Sequence, residues 1–411
     1  NRFMISLKWY GNKCQLFIVH NYYLILVAVY VLSIHVPIVR TGVAMSFVLL
    51  YLYTSCKIIR FASSSAGLVF FFLIYCIFSV QGYFYNELPI SVYWAEISTQ
   101  LLPMIFFFIP FNQEVDKERF YRIFVVAITI AIVLGIYYYI FNPPAYIQYI
   151  VKTANTAYEG SIGVSIQRFN SIFGSTIMGS FSVFMIIIII YRFWDVKKEY
   201  SFLSLLLYLL LYIIAFVSAI LTAQRSSMAL AFFCVVFMYI CSILCRKKIL
   251  KSFTFFNVLL YVVVVTVILT MFQEYFDFFE ERIDSIDGAF DERNGQWIDT
   301  FKHSENIIFG TGLGSAGHKV LAFTKYHITD GALFKITAEC GIVGLIFFLY
   351  IIIKCLVLKI KYFPCLFREY LIIVVCLAQS TGSNTLVFQQ ILPIFWFSLG
   401  SIANYYKTKD L

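Results

Sequence analysis

Apolar runs of about 20 residues follow one another along almost the whole chain, each the length that carries a helix across a hydrocarbon core of about 30 Å. Twelve such spans can be marked, near 15–36, 41–59, 66–86, 88–110, 120–141, 171–191, 201–222, 226–245, 252–273, 332–353, 369–386 and 388–405. Backbone polar groups have no water to bond inside a bilayer, so these runs predict helices. Only one long stretch breaks the pattern. Residues 274–331 carry acids, three of the five histidines and glycines at Gly310, Gly312 and Gly314. The expectation is an all-α polytopic membrane protein: one transmembrane domain over residues 1–411, with a large outer loop, 274–331, between its ninth and tenth helices.

Composition strengthens this picture. The chain of 411 residues is 61% hydrophobic and only 13% charged, too apolar for a soluble fold. Many of its 30 tyrosines fall near run ends, where an interfacial belt places them. The net charge of +9 sits in short clusters between runs, which is topology signal and not a nucleic-acid groove. The ten cysteines have no metal-site spacing, and none falls in 274–331, so no disulfide framework is expected there. No repeat of 20–50 residues is visible.

The cations also orient the chain. Alternate connections hold Arg2, Lys8 and Lys13; Lys57 and Arg60; Lys117, Arg119 and Arg122; Arg192, Lys197 and Lys198; Arg246, Lys247, Lys248 and Lys251; Lys354, Lys359, Lys361 and Arg368; and Lys407 and Lys409. The opposite connections hold few. The positive-inside rule then makes the first set cytoplasmic, with both termini on that side. The basic start NRFMISLKWYGNK reads as a cytoplasmic flank and not a cleaved signal.

Some of the few outer arginines stand in unusual sequence: Arg168 in SIQRFNSIFGST and Arg225 in TAQRSS. A guanidinium offers a rigid fork of donors suited to phosphate oxygens. The alternative is snorkelling to headgroups or pairing with a carboxylate. Within the loop, Phe290–Ser304 spaces Arg293, Trp297 and Phe301 along one helical face. The glycine cluster after it lacks the strand, helix and Lys-Ser/Thr of phosphate-binding motifs, so a tight turn capping a helix is expected in preference to an independent phosphate cradle. His303, His318 and His327 fit no metal-ligand spacing. Asp330 stands where the loop enters the tenth span, placed to act as a base or to cap that helix. Glu339, two turns into the span, is expected to pair with Lys335 four residues before it, and Gly341 and Gly344 to permit close packing. Glu96 in the fourth span has no companion motif and reads as structural.

Four stretches taken together resemble the O-antigen polymerase and ligase superfamily: QRFNSIFGSTIMGS, LTAQRSSMALAFF, RNGQWIDTFKHSENIIFGTGLGSAG and HITDGALFKITAECGIVGLIFF, from about Arg168 to Phe348. The resemblance implies a metal- and cofactor-independent glycosyltransferase of the bacterial inner membrane. Its substrates would be glycans on polyprenyl pyrophosphate, handled at the periplasmic face, with membrane lipid and a chain-length regulator as partners and no nucleic acid. It puts Arg168, Arg225, Arg282 and Trp297 at the pyrophosphate or glycan, and Arg293, His327 and Asp330 at the chemistry. Ligases show His-Asn where this chain has Asp330-Gly331, a departure that favours a polymerase over a ligase. A lipid-linked-oligosaccharide flippase or other transporter is the competing class, and a non-catalytic glycan-binding partner a third.

Overall fold

In the computed structural model, the described residues are 42, 45–46, 65–79, 88–111, 116–141, 143–145, 169–194, 202–244, 266, 286–304, 306–317, 320, 323, 326–328 and 330–405. The expected spans 15–36, 41–59 and 252–273 fall almost wholly outside them, as do Arg168, Arg282 and His318. Among the described residues every regular element is helical.

Ten α-helices occur among the described residues: α1 Ser65–Phe78, α2 Ile90–Glu96, α3 Lys117–Phe141, α4 Ser175–Trp194, α5 Phe202–Leu221, α6 Arg225–Leu244, α7 Ile286–Lys302, α8 Ala332–Leu358, α9 Phe367–Ser380 and α10 Leu392–Ala403. Four continuous helical stretches of the described residues are long and apolar enough to cross a membrane: Ile90–Phe111, Lys117–Phe141, Ser175–Arg192 and Ala332–Leu358. Four shorter apolar helices accompany them. The chain is therefore a helical protein with membrane-spanning segments.

Where helix ends depart from the apolar runs, local chemistry explains the difference. The sixth run begins near 171, but α4 starts at Ser175, after a turn in which the Gly174 N–H donates to Asn170 O at 2.8 Å and the Ser175 N–H to Asn170 Oδ1 at 3.1 Å. The last run begins near 388, yet α10 starts at Leu392, after a 3₁₀ turn at Thr385–Val387 and with Pro393 in its first turn. The fourth run changes winding along its length, from α2 into a π-helical turn at Ile97–Leu101 and a 3₁₀ segment at Leu102–Phe107.

The chain divides into two compact units. One comprises residues 1–124, 296–373 and 380–411; the other comprises 125–295 and 374–379. In the first, α8 packs on α1 and α10 packs on the 3₁₀ segment that comes after α2. Gly400 lies so close to Phe107 that a Cβ there would overlap its carbonyl. Phe120 stacks on Phe397 with ring centroids 3.5 Å apart. The starts of α3 and α9 meet through Arg368, which pairs with Glu118 at 2.9 Å and Glu369 at 2.8 Å and covers the Tyr121 ring. In the second unit, α4 packs against α5 and α6, and is the most deeply buried of the three.

Candidate functional site

In the second unit two turns carry the arginine motifs. The chain enters at Phe169, whose N–H donates to Leu221 O at 3.0 Å. Ser171 then takes a left-handed conformation (φ 51°) and donates its hydroxyl to Ala131 O at 2.6 Å. Gly135 of α3 makes room for this turn, since a Cβ there would press on Phe169 and Ser171. The second turn, between α5 and α6, pivots on Ala223, again left-handed (φ 52°). Left-handed backbone costs a non-glycine residue free energy, so surrounding contacts must impose both turns.

A buried polar chain supplies some of those contacts. Gln224 Nε2 donates to Thr176 Oγ1 at 2.6 Å, and Ser227 Oγ donates to Gln224 Oε1 at 3.1 Å. Gln379 Nε2 donates to Ser227 Oγ at 3.4 Å, and Ser180 Oγ donates to Gln379 Oε1 at 2.8 Å. Each member satisfies its neighbour, as groups removed from water require. Arg225 comes directly afterwards at the head of α6. Burial, and the nearby charge of Arg293 on α7, hold its guanidinium below the usual arginine range. The charge of Arg293 is thus felt at Arg225 within the same unit.

In the first unit the end of α7 packs against the start of α8. Trp297 stacks on Phe334 with centroids 3.8 Å apart and planes 15° from parallel. Its indole Nε1–H donates to Asp330 O at 2.8 Å. Thr300 donates its hydroxyl to His327 O at 3.4 Å. Trp297, Ala316, Ile328 and Ala338 form a small buried core with Phe301 and Phe334 against it. Both His327 and Asp330 are half-buried at its edge. The N-cap position expected for Asp330 is taken by the next residue, Gly331, at φ 100°. A Cβ at Gly331 would also crowd Phe334 and Trp297.

The glycine cluster is a turn, with positive φ at Gly310, Gly312 and Gly314. It caps no helix; it inserts into α8, which is broken at Gly341 (φ 73°, ψ 175°). An unbroken helix would bond Ile342 N–H to Ala338 O and Val343 N–H to Glu339 O. Instead Thr311 N–H and Gly312 N–H donate to those two carbonyls, each at 2.9 Å, while Ile342 N–H and Val343 N–H donate to Ile307 O and Ile308 O at 3.0 and 3.1 Å. Backbones touch here, and a Cβ on either Gly310 or Gly341 would overlap the opposing chain.

Amides further along this turn do bind an anion, and it is the chain's own. Gly314 and Ala316 N–H groups donate to the Glu339 carboxylate. Lys335 Nζ lies 3.5 Å from Glu339 Oε1, as the four-residue spacing predicts, and 3.4 Å from Glu96 Oε2. Gln100 also donates to Glu96 Oε2. All three charged side chains are 3% exposed or less. Glu96, which has no companion in the nearby sequence, is therefore the far arm of a buried triad. The partner lies 239 residues away, and no local spacing announces it.

Among the described residues no group of three His, Cys, Asp or Glu side chains converges as a metal site would require. His303 instead stacks on Tyr326 at 3.8 Å. No protein-family profile matches the chain, and no curated protein matches it.

Proposed function

We propose that this chain is a twelve-span glycosyltransferase of a bacterial inner membrane, both termini cytoplasmic, resembling the O-antigen polymerases. It joins lipid-linked glycan repeat units at the periplasmic face. The observation that carries this reading is the position of Arg225 at the head of α6, beside a turn fixed by the Gln224–Thr176 and Ser227–Gln224 hydrogen bonds, with the charge of Arg293 felt there. Two guanidiniums whose charges reach each other suit a multiply charged anion such as pyrophosphate.

In the reaction, a sugar hydroxyl on one lipid-linked unit attacks the anomeric carbon of another chain. The new C–O bond forms as the bond to pyrophosphate breaks, and in-line attack inverts that carbon. The electron pair leaves with polyprenyl pyrophosphate, whose charge Arg225 and Arg293 offset. The hydroxyl proton passes to Asp330 or His327. Trp297, buried and with its indole hydrogen-bonded to Asp330 O, fixes the backbone that carries Asp330.

The test is in vitro polymerisation of defined polyprenyl-pyrophosphate repeat units, with chelator present. Wild-type protein is expected to build a ladder, and Arg225→Ala and Arg293→Ala each to lower its rate by about 100-fold or more. Ladders of normal length and rate from both variants would refute the assignment. One observation favours the transporter instead: a buried Glu–Lys–Glu triad beside a broken helix is where transporters hold coupling ions. Transport of intact lipid-linked oligosaccharide across proteoliposomes, without a ladder, would select that reading.

A further inference from the structure

The insertion at the α8 break has a depth. Lys354 stands over the Tyr350 ring at 5.7 Å near one end of the helix, the kind of pair that marks a membrane interface. About 20 residues cross the hydrocarbon, which puts the other boundary near Phe334. Gly341 then lies about 10 Å inside, at about 1.5 Å per residue. The backbone of Ile307 and Ile308 is bonded to Ile342 and Val343, so it lies at the same depth.

Irregular backbone survives in hydrocarbon only if its polar groups are met by protein, and the amides from Phe309 to Leu313 are met in this way. Phe309 N–H donates to Asn306 Oδ1 at 3.0 Å and Gly310 N–H to Asn306 O at 2.8 Å. Thr311 and Gly312 donate into α8, and Leu313 N–H donates to Ser79 O at the end of α1 at 3.0 Å. The side chains tell the same story. Ile308 and Phe309 are 54% and 50% exposed, beside Ile307. They continue an exposed apolar stripe on α8 that runs through Ile342, Ile346, Tyr350 and Ile353. That stripe has helical spacing and faces lipid in any membrane placement of α8.

We propose that Asn306–Gly312 is a re-entrant segment that dips into the hydrocarbon layer and presents Ile307, Ile308 and Phe309 to lipid acyl chains. The segment belongs to the polar connection before α8, so a stretch assigned by hydropathy to water is a membrane contact. The inference rests on the membrane assignment of α8 alone and is independent of the glycosyl-transfer reading.

Wild-type protein in nanodiscs tests it by photolabelling and peptide mass mapping. One probe is a phospholipid with a diazirine on its acyl chain; the other is a small water-soluble diazirine. Residues 307–309 are expected to take the acyl-chain probe at least fivefold more than residues 298–302 of α7, and to take the soluble probe at least fivefold less. The α7 segment is a fair control because Ile298 is exposed and apolar too. Equal labelling of both segments by the soluble probe would overturn the inference. So would labelling of 307–309 by neither probe, since the patch would then be covered by protein.

Discussion

Lys335→Met removes the ammonium that lies between two buried carboxylates while keeping most of the side-chain volume. In the wild type, Lys335 Nζ lies 3.4 Å from Glu96 and 3.5 Å from Glu339. Without it, two acids face each other with 3% exposure or less and no water to solvate them. Removing one partner of a buried ion pair costs about 3–5 kcal/mol, which lowers the ratio of folded to unfolded protein by roughly two to three and a half powers of ten. Neutralising the acids as well removes the uncompensated charge. Lys335→Met with Glu96→Gln and Glu339→Gln is expected to recover most of the loss, because Gln still offers an oxygen to the Gly314 and Ala316 amides. Thermal unfolding in detergent, monitored with a thiol-reactive fluorophore, reads this directly: Cys76, Cys234, Cys340, Cys355 and Cys376 are buried and react only as the fold opens. A single variant as stable as wild type, or a triple variant no better than the single, would refute the claim that charge compensation holds this region together.

The same geometry predicts two further outcomes. Trp297→Phe keeps the stack on Phe334 and loses the hydrogen bond to the half-buried Asp330; a loss of about 1 kcal/mol is expected in the same unfolding assay, against about 3–5 kcal/mol for Trp297→Ala. Gly341→Ala forces a side chain into left-handed backbone against the Ile308 carbonyl, so amide exchange at Thr311, Gly312, Ile342 and Val343 should accelerate by at least tenfold while that of α4 is unchanged.

Hydropathy reads several of the described helices well because a span is a local property of about twenty residues. The runs at 120–141, 201–222 and 226–245 return as α3, α5 and α6 with ends shifted by a few residues. The i,i+4 pairing of Lys335 with Glu339 is legible for the same reason. What escapes the sequence is long-range or concerns backbone. Gly341 in an apolar run reads as a packing residue, and only the loop inserted beside it makes it a break. Ser171 and Ala223 carry no glycine to announce their left-handed turns. Gln379 reads as the polar end of an apolar helix until Ser180 and Ser227 are seen on either side of it. Asp330 looks like a cap because acids favour helix starts, but the next residue must adopt a φ that glycine tolerates best. Of the candidate residues, the sequence supplies Arg225 and Arg293 in one unit and Trp297, His327 and Asp330 in the other, but not the contacts that hold them.

The threaded break in α8 also constrains how this chain can vary in length. Ile307, Ile308, Thr311 and Gly312 are each bonded to a fixed rung of the helix, and Leu313 to the end of another. One inserted residue between 307 and 313 would throw the donors and acceptors on one side out of step, with no slack to absorb it. Connections between spans ordinarily tolerate insertion well; this stretch is expected to keep its length as strictly as a helix does. Among descendants of this sequence, loop length around the glycines should therefore drift only outside 306–313, and a gap within it should appear only where the glycine of the break is lost as well.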